Sequence, residues 1–98
     1  MPMGIEEILG PKRDQIREIA AKHGVTSIRV FGSVARGEAG PESDVDFLIE
    51  YGPHTSPWFP GGFVADLEDL LGRNVDVATV NGLHRYIKDR VLAEAVGL

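Results

Sequence analysis

Two aspartates separated by one residue, Asp44 and Asp46, stand at the start of an apolar, strand-like run. In an extended chain, residues two apart project to the same side, so these two carboxylates lie close together. Like charges in such proximity raise one pKa unless a cation lies between them, and clustered hard oxygen ligands suit Mg²⁺ or Mn²⁺. The pair therefore predicts a divalent metal site with Asp44 and Asp46 as ligands.

A glycine and a serine, Gly32 and Ser33, precede these acids by about a dozen residues and end another apolar run. Glycine lets a ligand approach the backbone closely, and Ser33 offers a hydroxyl together with an N–H at the start of a short predicted helix. The positive end of such a helix favours an anion, so the turn predicts a phosphate site. Arg36 lies three residues beyond Ser33, and a phosphate contact and a surface ion pair are equally open for it.

The elements that must position these residues follow from periodicity and from Gly and Pro breaks. The third strand contains a further acid, Asp76. The expected elements are a helix over 12–23, a strand over 27–31, a short helix from 33, a strand over 45–51, a loop over 52–62, a helix over 63–71, a strand over 74–80 and a helix over 83–96. This order predicts an α/β (α+β) fold, a small mixed β-sheet flanked by helices.

The topology of that sheet decides whether the acids meet. The link between the first two strands is short, so the second strand is expected to return antiparallel to the first. The second and third strands are joined through a helix, which is typical of a right-handed parallel crossover. Both features bring Asp76 to the edge of the sheet that carries Asp44 and Asp46, where it would be a third carboxylate and metal ligand.

The composition narrows the class of protein. The chain has 98 residues, 43% of them hydrophobic and 26% charged, which predicts one folded domain over 1–98. Its net charge of -5 disfavours direct nucleic-acid binding. It contains no cysteine and no run long enough to span a membrane, so a cytoplasmic protein with no membrane association is expected.

The segment "GSVARGEAGPESDVDFLIEY" resembles the signature of the DNA-polymerase-β-like nucleotidyltransferases, in which Gly-Ser precedes an Asp-x-Asp strand. Together with "LEDLLGRNVDVAT" and "RVLAEAV", it resembles the minimal nucleotidyltransferases (MNT), the antitoxins paired with HEPN-domain toxins. The resemblance covers nearly the whole chain. It implies a polymerase-β-like nucleotidyltransferase fold, nucleotide binding by Gly32, Ser33 and Arg36, and metal binding and catalysis by Asp44, Asp46 and Asp76.

The resemblance also implies a reaction: Mg²⁺-dependent transfer of AMP from ATP to a tyrosine of a HEPN ribonuclease toxin (AMPylation), with Asp76 as the third acid and general base. No acceptor-binding domain is recognisable, so the partner toxin is expected to supply that surface. Two alternatives stay open. The protein could neutralise the toxin by binding and occluding it without catalysis, or it could modify a small molecule such as an aminoglycoside.

Overall fold

A four-stranded mixed sheet with the strand order β3-β2-β1-β4 organises this protein in the computed structural model, which describes residues 2–98. The strands are β1 (Val25–Phe31), β2 (Val45–Tyr51), β3 (Val75–Thr79) and β4 (Val96–Gly97). The α-helices are α1 (Ile5–Ile8), α2 (Arg13–Lys22), α3 (Gly32–Ala35), α4 (Gly61–Leu71) and α5 (Arg85–Glu94), and a 3₁₀ turn, Gly10–Lys12, precedes α2.

The pairing of the three longer strands confirms the predicted topology. Strand β1 pairs antiparallel with β2, and Phe31 lies opposite Asp46. Strand β2 pairs parallel with β3 after the chain crosses over through α4, and Asp46 lies opposite Asp76. The end of β1 and the starts of β2 and β3 therefore meet at one edge of the sheet, which we call the rim.

Alternation along β2 separates the core from the face that carries the acids. Val45, Phe47 and Ile49 are buried in a hydrophobic cluster with Phe63 and Leu67 of α4. Side chains alternate between the two faces of a strand, so Asp46 points away from this cluster. The buried aliphatic residues of β2 thus fix which way the carboxylate faces, because a slip of one residue would bury Asp46 in the core.

Several boundaries differ from the predicted ones, and two elements lack a sequence signal. Strand β1 begins at Val25 and α4 at Gly61, two residues earlier than predicted in each case. Helix α1 has four residues and β4 has two, too few for either periodicity to show. The predicted last helix is cut short at Glu94 because the chain becomes extended at Ala95 and pairs with β1 as β4.

The loop between β2 and α4 is attached to α2 by a buried histidine. His23 Nδ1 lies 2.5 Å from Ser56 Oγ, and His23 Nε2 lies 2.7 Å from Asp66 Oδ2. The ring of Phe59 lies between those of Tyr51 and Phe63, whereas Trp58 is 89% exposed. Ser56 and Phe59 therefore anchor the loop, and Trp58 projects from it.

Within residues 2–98 the chain forms no helix with the length and apolar character needed to cross a bilayer.

Candidate active site

The three acids predicted from the sequence all lie at the rim. Asp46 and Asp76 are direct neighbours on adjacent parallel strands, so both side chains occupy the same face of the sheet. Asp44 is exposed and stands one residue before β2, as the predicted bounds of that strand place it. It still approaches Asp46 closely enough for its charge to act there.

Burial and neighbouring charges at the rim act together on the carboxyl group of Asp46. Its pKa is raised above the usual value, first by partial burial and then by the negative charges of Asp76 and Asp44. Arg36 opposes this shift only in part. A rim of this kind favours binding of a cation, which would relieve the repulsion among the carboxylates.

The donor set fits a divalent cation in its chemistry, since three carboxylates supply hard oxygen ligands. Across residues 2–98, however, no three acidic or histidine side chains are already arranged as a metal-binding group. Asp44, Asp46 and Asp76 would have to adjust their side chains to share one ion.

The predicted phosphate turn faces this rim from the end of β1. Gly32 begins the four-residue α3 with φ of +74°, a conformation that a side chain rarely adopts. A Cβ built on Gly32 would overlap Asp46 Oδ2 and lie 3.1 Å from Asp46 Cγ. The backbone of Gly32 is therefore in direct contact with the Asp46 carboxylate, and Ser33 follows it in the first turn of α3.

Arg36 directly follows α3 as its C-cap and is held between two acids. Its Nη1 donates to Glu94 Oε1 at 2.7 Å, and its Nε donates to Glu38 Oε2 at 2.9 Å. The same Glu94 carboxylate accepts a hydrogen bond of 2.8 Å from the main-chain N–H of Gly32. These bonds, with that of Arg36 first, lower the pKa of Glu94, so its carboxyl group is ionised at neutral pH.

The comparison with protein families agrees with this geometry. A model described as "Nucleotidyltransferase domain" matches residues 12–98. The chain belongs to the nucleotidyltransferase domain family. Its fold is the small mixed-sheet fold of a minimal nucleotidyltransferase.

Two curated relatives and two solved structures resemble this nucleotidyltransferase. A Methanocaldococcus jannaschii protein, provisionally named a protein adenylyltransferase, is 43% identical over 96% of this chain and 97% of its own. The protein adenylyltransferase MntA of Thermococcus cleftensis is 39% identical over 94% of this chain and 90% of its own. A solved structure provisionally described as a minimal nucleotidyltransferase covers 98% of this chain and 97% of its own at 38% identity, with a TM-score of 0.83. A toxin–antitoxin complex with AMP-PNP shares the fold at 16% identity, with a TM-score of 0.73 over 88% of this chain and 71% of its own.

Two residues at the site of this nucleotidyltransferase escaped sequence reasoning, Glu94 and Arg73. Glu94 lies 62 positions beyond Gly32, and no local pattern links the two. Arg73 reads as a turn residue after α4, but its Nη1 donates to the carbonyl oxygens of Gly40 at 2.9 Å and Ser43 at 3.1 Å. A signal for Arg73 was its position two residues before β3, whose start the parallel pairing places beside the start of β2.

Replacing Arg73 by alanine should lower nucleotidyl transfer about tenfold, because the loop that delivers Asp44 loses two hydrogen bonds and small misplacements of a reacting group are costly. The expected loss of folding free energy is about 1 kcal/mol, the net contribution of such hydrogen bonds. Initial rates and urea denaturation of the same preparations measure both effects.

The matched control is Arg13→Ala, since Arg13 forms a surface ion pair with Glu6 at 2.6 Å and lies on α2. Its transfer rate should be unchanged. Equal rates for Arg73→Ala and the unmodified protein would show that the loop needs no support from Arg73.

Proposed function

We propose that this nucleotidyltransferase is an antitoxin that transfers AMP from ATP to a tyrosine hydroxyl of a HEPN ribonuclease toxin. The observation that carries the proposal is the meeting of two features at one rim. Asp46 and Asp76 are paired side by side on adjacent parallel strands. The backbone of Gly32, at the start of the phosphate turn, contacts the Asp46 carboxylate. Relatives named protein adenylyltransferases and a toxin–antitoxin complex of the same fold support the choice of acceptor.

In this proposal the residues at the rim have two roles, phosphate binding and metal binding. Gly32 and Ser33 bind the terminal phosphates of ATP through main-chain N–H groups and the serine hydroxyl, and Arg36 adds a positive charge. Asp44, Asp46 and Asp76 would hold a divalent cation, Mg²⁺ by the usual preference for carboxylate oxygens, which supplies charge neutralisation at the α-phosphate.

The chemical step exchanges one bond to phosphorus for another. The phenol oxygen of the toxin tyrosine attacks the α-phosphorus, a new P–O bond forms, and the bond between the α-phosphorus and the bridging oxygen breaks to release pyrophosphate. The phenol proton passes to the Asp76 carboxylate, which acts as general base. Transfer places AMP on the toxin and would thereby silence its ribonuclease site.

The experiment is the intact mass of the HEPN toxin after incubation with this protein, ATP and Mg²⁺. We expect the mass to rise by one or more AMP units. The matched control is the Asp44→Asn, Asp46→Asn variant, which keeps the shape of both side chains and removes their charge. A rise that persists in this variant would contradict the assignment of the acids.

A second function, neutralisation by binding alone, is favoured by two observations. The acids are not arranged as a metal-binding group, and Glu94 occupies the N–H of Gly32. An unchanged mass together with a tight complex, and full protection of cells by the double variant, would establish occlusion in place of catalysis.

A further inference from the structure

The carboxylate of Glu94 accepts hydrogen bonds from Gly32 and Arg36, two residues to which the proposed function assigns the phosphates of ATP. One of its carboxylate oxygens, Oε2, accepts from the Gly32 N–H at 2.8 Å, and the other, Oε1, accepts from Arg36 at 2.7 Å. The side chain is 20% exposed, so it is largely enclosed at this position. A planar carboxylate with two oxygens on an N–H and a guanidinium reproduces the contacts that a phosphate would make there.

The two donors differ in how many partners they can serve. Arg36 carries five N–H groups, so it can keep an acid and still contact a phosphate. A main-chain N–H has a single hydrogen, so Gly32 cannot bond Glu94 and a phosphate oxygen at full strength together. Glu94 and an incoming anion therefore compete for the main-chain N–H of Gly32.

We infer that Glu94 is a resident competitor of the nucleotide: its carboxylate occupies the triphosphate site of the free protein, and ATP must displace it from Gly32 to bind. This inference rests on the proposed function. It adds an affinity-setting residue from the last helix to a site otherwise built from β1, α3, β2 and β3. Its consequence is that free protein binds ATP more weakly than its phosphate turn allows.

Displacement also has a structural consequence for the end of the chain. Glu94 is the last residue of α5, and β4 follows it after one residue and pairs with β1 at Arg29 and Val30. Withdrawal of its carboxylate from Gly32 removes one of the two bonds between α5 and the α3 region and leaves only the bond to Arg36. Nucleotide binding is thus expected to loosen the C-terminal end of α5.

The test is titration calorimetry of the full chain with Mg·ATP and, separately, with Mg·tripolyphosphate, which has the anion without the base. Glu94→Gln keeps the shape and removes the charge, so both ligands should bind on the order of tenfold tighter than to the unmodified protein. Glu94→Ala, which removes both hydrogen bonds, should gain at least as much. Urea denaturation of each variant establishes that it is folded.

Glu38→Gln is the matched control. Glu38 also bonds Arg36, at 2.9 Å, but it does not accept from Gly32, so its loss should change the affinity less than about twofold. Equal or weaker binding by folded Glu94→Gln would overturn the inference, and weaker binding would indicate instead that Glu94 positions Arg36 for the nucleotide.

The outcomes separate this inference from the proposed function. If Glu94→Gln binds ATP more tightly but the unmodified protein adds no AMP to the toxin, the role of Glu94 as competitor is supported and the proposed adenylyl transfer is contradicted. If the unmodified protein transfers AMP but Glu94→Gln binds ATP no more tightly, the proposed function is supported and the role of Glu94 as competitor is contradicted. Absence of ATP binding by the unmodified protein and both Glu94 variants would overturn both.

Discussion

Replacing Asp46 by asparagine is expected to reduce AMP transfer at least about a thousandfold, while the complex with the toxin still forms. Loss of one carboxylate from a site that stabilises developing charge on phosphate removes several kcal/mol of transition-state stabilisation, and each 1.4 kcal/mol is about tenfold in rate. Asparagine keeps the size of the side chain, so the sheet and the surface proposed to contact the toxin are retained. Single-turnover mass spectrometry and analytical size exclusion measure the two quantities.

The stability of Asp46→Asn distinguishes a site residue from a structural one. Partial burial first, and then the charges of Asp76 and Asp44, raise the pKa of Asp46, so its ionised form is less favoured in the free protein than in water. A neutral side chain relieves that repulsion, and after allowance for solvent screening the gain is below about 1 kcal/mol. Asp69→Asn, an exposed acid of α4, is the control and should leave rate and stability unchanged. A large loss of stability in Asp46→Asn would mean that the carboxylate holds the fold together.

Replacing Gly32 by alanine is expected to cost about a hundredfold in AMP transfer and roughly 1–3 kcal/mol of folding free energy. The left-handed backbone conformation accounts for about 1–2 kcal/mol of the loss in stability. The added methyl group also overlaps Asp46 Oδ2, so the carboxylate must rotate out of its present position. A displacement of about 1 Å at a reacting group is enough for a loss of this size in rate.

Gly37→Ala is the matched control, because Gly37 has the same φ of +74° and a Cβ there would meet nothing within 4 Å. Both variants should lose similar conformational free energy, and only Gly32→Ala should lose activity. Initial rates and denaturant midpoints of the two proteins, measured in parallel, separate the steric effect from the backbone effect. If the two variants transfer AMP equally well, the contact between Gly32 and Asp46 has no role in transfer.

The sequence was sufficient to predict the three longer strands of the sheet and the position of the acids because their signals are local. Strand β2 has the predicted bounds, Val45–Tyr51, since its aromatic and β-branched residues end at a Gly-Pro break. The antiparallel and parallel pairings followed from the lengths of two connections. The meeting of Asp46 and Asp76 is a direct result of that topology.

The features that sequence reasoning missed depend on long-range contacts. Glu94 reads as one polar residue among others on a helix, and only the folded chain brings it to Gly32. The common direction of Asp44 and Asp46 was inferred from an extended chain, but regular pairing begins at Val45, so Asp44 lies outside the strand and is more exposed than Asp46. The acids of the site are therefore predictable from their spacing in the sequence, whereas the position of Glu94, the inferred competitor of ATP, is not.

The overlap between a Cβ at Gly32 and the carboxylate of Asp46 also bears on how such proteins can diverge. A side chain at position 32 and the acid fourteen positions later would compete for one volume, so the glycine cannot be exchanged while the acid keeps its position. A relative that has lost the acid is released from this steric constraint, and only the left-handed backbone conformation still favours glycine. Inactive descendants of this fold are therefore expected to lose the acid before the glycine.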